Sequence, residues 1–245
     1  MNDGFLNEDL LCNYINDNIF LTCNENMQNF LSFLFGENLS KTLPFRAFKI
    51  KDREKPDICI QHNGKQKYIS LKKGSGNSVH QEKIDVFFPY IEKTIGVEQL
   101  NNLKLFHYGD DTIDDTGCVR YSASECRIKY ANEITSFNNV VNQWSILEKM
   151  LDRFIFVGNI GSSFVDAIYH GSIDEGIWAS RDEIKEYIRS CFFSIKGVHF
   201  GPLTYQVWGR DEKRTAKHPE RRYVIQIKWG SIVKDLEFIR KKSNE

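Results

Sequence analysis

The chain has 245 residues, 41% of them hydrophobic, 13% aromatic and 27% charged, enough for one large or two small globular domains. It contains no run of 18 apolar residues, which excludes a membrane-spanning helix, and "MNDGFLNEDLL" at the N-terminus lacks the basic-then-apolar order of a secretory leader. Formal net charge is zero, yet twelve basic residues stand against five acidic ones between Lys196 and Lys242, while acid gathers in "GDDTIDDTG" (109–117). That asymmetry fits a basic face for nucleic acid or an ordinary solvated surface.

Leu6, Leu10, Tyr14 and Ile15 recur at helical spacing and predict a helix over about 5–19. A second apolar helix is expected over 27–35, stopped near Gly36. The period then changes to two. Ile58 and Ile60, then Ile69 and Leu71, predict two strands, and Asn63-Gly64 between them is the strongest short hairpin signal. Ser78 with Gln81 has the spacing of a capping box and predicts a helix reaching about Phe88. Val140, Trp144, Leu147, Leu151 and Phe154 predict one long helix over 139–156. Ser180 with Glu183 repeats the capping box before a helix to about Cys191. Alternation returns at Leu203, Tyr205 and Val207, and at Tyr223, Ile225, Ile227 and Trp229, with a basic loop over 209–220 joining the two strands. The order predicts a mixed α/β (α+β) fold without the regular rhythm of a doubly wound sheet. In domain terms it reads as one compact unit: a core over 1–100, a helical and loop region over 101–195 that completes the core, and a basic β-rich segment over 196–245. Six scattered cysteines with no C-x-x-C pair argue against a zinc site and fit free thiols in a reducing cytoplasm.

A two-residue turn at Asn63-Gly64 sets the hairpin register, so that Asp57 faces Ser70, with Lys72 beside them at the open end. An aspartate next to a lysine there reads as a cross-strand ion pair, or as a carboxylate for a hard divalent cation with an ammonium ready for a phosphate.

Pro56-Asp57 followed by Ser70-Leu71-Lys72 resembles the active-site signature of the PD-(D/E)xK nuclease superfamily, with Ser70 standing where the usual pattern has an acid. Three further stretches resemble the small type II restriction endonucleases that cut short palindromes such as GCGC and CCGG: "DGFLNEDLL", "KKGSGNSVHQEKID" and the pair "HFGPLTYQVWGR" and "RRYVIQIKW". The resemblance covers 4–90, and 196–230 more loosely; residues 100–180 match nothing. It implies a restriction-endonuclease-like core and Mg²⁺, with Mn²⁺ able to substitute. The metal would be held by Asp57, the Leu71 carbonyl, and Glu82 or Glu8 in compensation for Ser70. Catalytic residues would be Asp57, Ser70, Lys72, Glu82 and Glu8. Glu82 also reads as a carboxylate stabilised at a helix N-terminus, and Glu8 as a solvent-facing helix residue. Double-stranded DNA is the implied partner, with a cognate DNA methyltransferase as functional companion and a monomer or homodimer as the acting form. Candidate DNA contacts are Asn77, Ser78, His80 and Gln81 near the hairpin, and Gln206, Arg210, Lys213, Arg214, Lys217, Arg222, Gln226 and Lys228 towards the C-terminus. Two other readings keep the residues and change the role: a structure-directed repair or recombination nuclease, and a DNA-binding protein whose nuclease site has decayed at Ser70.

Overall fold

The computed structural model describes residues 3–50, 54–74, 77–159, 161, 163–210 and 217–243. In chain order the helices are α1 (Asp3–Asp17), α2 (Glu25–Phe35), α3 (Ile84–Ile95), α4 (Val97–Tyr108), α5 (Ala123–Lys129), α6 (Ala131–Val141), α7 (Trp144–Leu151), α8 (Arg181–Ser190) and α9 (Ile232–Ser243). The strands are β1 (Arg46–Lys49), β2 (Ile58–His62), β3 (Lys65–Lys72), β4 (Ser78–Lys83), β5 (Ala167–Gly171), β6 (Gly176–Ser180), β7 (His199–Phe200), β8 (Leu203–Val207) and β9 (Val224–Trp229). This is a mixed α/β chain with one five-stranded and one four-stranded sheet. No described helix is long and apolar enough to cross a membrane.

Contacts gather the chain into two compact units. The first comprises Met1–Asn77, Ile155–Tyr187 and Ser231–Glu245, and the second Ser78–Phe154 and Ile188–Gly230.

In the first unit the sheet runs β1-β2-β3-β5-β6, antiparallel except for the parallel pair β3 and β5. The hairpin register is the expected one: His62 pairs with Lys65, Cys59 with Tyr68 and Ile58 with Ile69. Asn63 and Gly64 both take positive φ (47° and 73°), the backbone of a turn whose twist matches the strands it joins. Ile58, Ile60, Ile69 and Leu71 bury one sheet face against Leu11 and Ile15 of α1 and Met27, Phe30, Leu31 and Leu34 of α2. At about 1.5–3 kcal/mol per fully buried side chain, this apolar layer is the main anchor of the hairpin. The stripe of α1 is rotated from the one expected. Leu6 and Leu10 are exposed while Leu11 and Ile15 are buried, because α1 lies along β1 and turns its Asn7–Leu11–Ile15 face inward.

In the second unit the sheet runs β4-β9-β8-β7, antiparallel throughout. Ile225, Ile227 and Trp229 of β9 and Leu203, Tyr205 and Val207 of β8 are buried, and the residues between them are open or half-buried. Two expectations fail here. Residues 78–83 are a strand and not the start of a helix: Ser78 and Gln81 pair with Lys228 and Gln226 of β9, and the helix starts only at Ile84 and carries Pro89 within it. The predicted helix over 139–156 is broken. α6 ends at Val141, α7 begins at Trp144, and a π-helical turn follows over Asp152–Phe156. The side-chain amide of Asn142 bonds the backbone of Asn138, His199 and Gly201, which turns the chain out of the helix and onto β7. The capping box at Ser180 and Glu183 forms as expected and opens α8. After β9 the chain ends in helix α9, not in further strand.

His107 of α4 is buried beneath the same sheet. Its Nε2 lies 3.0 Å from the Arg222 carbonyl, which can only accept, so Nε2 carries the proton; Nδ1 then accepts from the Tyr205 hydroxyl at 2.6 Å. Burial, with the charge of Arg210, takes this histidine down to about 3.

Candidate active site

Asp57 stands one residue before β2, and its backbone is tied on both sides: its amide donates to the Ile69 carbonyl at 2.9 Å and its carbonyl accepts from Ile50 at 3.0 Å. The hairpin pairing therefore continues past the formal start of the strand. Across it, the Ser70 hydroxyl (3.0 Å) and the Leu71 amide (2.6 Å) both donate to Asp57 Oδ2. Among the described residues Oδ1 accepts no hydrogen bond. Lys72 Nζ lies 3.8 Å from Oδ2 and donates to the Leu71 carbonyl at 3.1 Å. Ser70 is itself buried, so its hydroxyl orients the aspartate in a water-poor spot. Ser70 acts here as a donor to Asp57 and adds no negative charge of its own.

Glu8 on α1 completes the group. Its carboxylate is 3.2 Å from Lys49 Nζ, and Lys49 also reaches Asp9 at 3.2 Å. Burial pushes Glu8 up, the hydrogen bond from Lys49 pulls it down, and the negative charge of Asp57 pushes it up again, with a net rise. Glu8 and Asp57 are thus close enough to repel. Asn7, its neighbour, lies 3.4 Å from the Gly171 carbonyl, so the first turns of α1 reach the carboxyl end of β5. Asp57 and Lys72 meet where the parallel strands β3 and β5 end, and the charge of Asp57 acts on Glu8 from there.

Two neighbours had no place in the sequence reading. Lys49 ends β1, a strand too short to show alternation. His170 pairs in register with Lys72 across β3 and β5, and its Nε2 lies 3.2 Å from the Gly74 carbonyl, in the loop that leaves Lys72. The signal for β5 was a short apolar run, Ala167-Ile168-Tyr169, between Asp166 and Gly171.

Several expected residues are engaged in other ways. Glu82 is not in a helix but in β4, on the buried face, where Arg153 grips both oxygens and His80 contacts Oε2 at 3.1 Å. Burial raises this carboxyl, but the bonds from His80 and Arg153 outweigh it and hold Glu82 below the ordinary glutamate value. His80 is inside with it and meets the ring of Phe154. Neither faces solvent as a metal ligand or DNA contact would. Arg210 donates to the carbonyls of Phe106, His107 and Tyr121, closing the end of α4. Arg222 is paired with Asp115 of the acidic loop, which Arg120 also holds at 2.9 Å. These two arginines neutralise and cap their own unit, so part of the basic C-terminal excess is internal. Lys217 is exposed, Asn77 is half-buried just before β4, and Lys213 and Arg214 lie outside the described residues. Ser78, Gln81, Gln206, Gln226 and Lys228 share the open face of the four-stranded sheet.

The donor set at Asp57 suits a hard cation. Two carboxylates and a backbone carbonyl offer only oxygen, which magnesium prefers, and magnesium keeps several waters rather than a closed cage. Among the described residues, no three His, Cys, Asp or Glu side chains converge on one point. No protein-family model matches this sequence, and no curated protein matches it.

Proposed function

We propose that this chain is a Mg²⁺-dependent endonuclease that cuts double-stranded DNA at a specific short sequence, as a type II restriction enzyme does, leaving 5′-phosphate ends. The observation that supports it most is the meeting of Asp57, the Leu71 carbonyl and Lys72 at one strand end, with Asp57 held on one oxygen only. Asp57, Glu8 and the Leu71 carbonyl would hold the cation. When bound, it neutralises phosphate charge and acidifies water.

The protein's own groups do the rest. Ser70 and the Leu71 amide fix the carboxylate rotamer of Asp57, so its other oxygen keeps one direction. Lys72 has three donors and spends one on Leu71, leaving two to orient a water and a non-bridging phosphate oxygen. The water oxygen attacks phosphorus in line with the 3′-oxygen and releases one proton to solvent, the P–O3′ bond breaks, and the departing 3′-oxygen takes up one proton from solvent. Glu82, committed to Arg153, takes no part.

The test is cleavage of unmethylated phage or plasmid DNA with Mg²⁺ or with EDTA, for the wild type and for Lys72→Ala. Discrete Mg²⁺-dependent fragments absent with Lys72→Ala uphold the proposal. A smear means a nuclease without sequence choice, and binding without any cut means a DNA-binding protein.

A further inference from the structure

The open face of the four-stranded sheet carries three glutamines in one row. Gln206 of β8 pairs with Gln226 of β9, and Gln226 pairs with Gln81 of β4. Directly opposed residues share a face, so all three amides stand on the same side. Gln206 and Gln81 are exposed and Gln226 half-buried. The next row is Thr204, Lys228 and Ser78, and Lys83 pairs with Val224 on the other side. Among the described residues, no strand residue on this face is acidic, although the chain as a whole has 33 acidic residues.

A local irregularity makes the face continuous. Ser78 and Gln81 are three apart and would point to opposite sides of a regular strand. The register shifts by one residue between Ser78 and His80, which returns Ser78 to the open side while His80 and Glu82 stay inside. The Gln226 amide reaches back to the Ser78 hydroxyl at 3.3 Å.

Adjacent strands lie ~4.8 Å apart, so the row spans ~10 Å. That is about three steps of B-DNA at ~3.4 Å each. A glutamine amide offers one acceptor and two donors and matches the N6 and N7 edge of adenine bidentately. We propose that this face reads duplex DNA in the major groove, with Gln81, Gln206 and Gln226 contacting base edges at A·T pairs and Lys83 and Lys228 meeting phosphates. The inference rests on the chain being a DNA enzyme and adds what the site contains: adenine, not G·C pairs alone.

The experiment binds random duplexes to the full chain carrying Lys72→Ala, in Mg²⁺, and sequences what is retained, then repeats this with Gln226→Ala or Gln206→Ala added. Melting temperatures of all three proteins are measured alongside. The expected result is a short enriched motif that includes A·T pairs. Gln226→Ala should relax the preference at one or two of those pairs roughly 5- to 150-fold, with salt-sensitive binding to random DNA retained. A motif of G·C pairs alone, a motif that both substitutions leave unchanged, or no enrichment overturns the inference. The two readings fail separately. A chain with Lys72 intact that cuts DNA at sites unchanged by Gln226→Ala keeps the nuclease and loses this face. A motif relaxed by Gln226→Ala in a chain that cuts nothing does the reverse.

Discussion

At the end of the β2–β3 hairpin, Asp57 faces Lys72 at 3.8 Å, and one of its two oxygens is held by Ser70 and Leu71. In β4, Glu82 also meets a cation, but Arg153 binds both of its oxygens and His80 adds a third contact. The side chain of Asp57 is 29% exposed and that of Glu82 is 1% exposed. Both are acids next to bases. They differ in what is left over. A carboxylate whose capacity is filled from its own unit stabilises the fold and has nothing to offer a ligand. One that is oriented but half-satisfied can bind something else.

The comparison breaks most sharply through Lys72→Ala and Asp57→Asn. Each should lower DNA cleavage by roughly 10³- to 10⁴-fold. Their urea midpoints should move little, since this half-buried pair is long at 3.8 Å and makes no short ionic contact. A large loss of stability would make the hairpin end a structural pair after all. For Glu82→Ala the expectation is inverted. Leaving Arg153 buried without its partner should destabilise by roughly 3–5 kcal/mol, read by chemical denaturation. Protein still folded at low temperature should cut with near wild-type kcat.

A third test uses acid. His107 has a folded value of about 3, below the ordinary 6.5, so its contribution is present above 6.5 and is lost as pH falls towards 3. Stability should decline as pH falls across that window, because the unfolded chain takes up a proton that the folded one does not. Glu82, also lowered, adds to the loss further down, as pH falls through its own folded value. His107→Gln should flatten the upper part of the curve, as measured by urea midpoints from pH 7 to pH 4. Glu8 works with the opposite sign, because a raised acid favours the folded state below its ordinary value and loses that contribution as pH rises. The smallest expected effect is on Glu8→Gln, which should raise the Mg²⁺ concentration for half-maximal cleavage about tenfold and leave saturated kcat close to wild type. An unchanged Mg²⁺ requirement would remove Glu8 from the ligand set.

The hairpin and its site were legible because every signal there is local. Asn63-Gly64 fixes the turn, the turn fixes the register, and the register alone puts Asp57 opposite Ser70. Helices α1 and α2 were legible for the same reason, though not which side of α1 faces inward, since Leu6, Leu10, Leu11 and Ile15 all suit a core and only packing on β1 chooses among them. The stretch at 78–83 misled because a spacing of three has two physical origins. In Ser78-x-x-Gln81 it reads as one helical turn, and in the folded chain it is a strand with one extra residue. Pairing with β9, some 145 residues later, decides between them, and no window of local sequence contains that partner.

The sequence by itself determined the mixed fold class, the hairpin register, the Asp57–Lys72 approach and the capping of α8, all set by neighbours within about fifteen residues. Only the tertiary structure decided that Glu82, Arg210 and Arg222 are consumed inside their unit and that three glutamines from distant strands form one row. Charge balance and hydrogen-bond satisfaction depend on which surfaces meet, and strand pairing at long range is what brings them together.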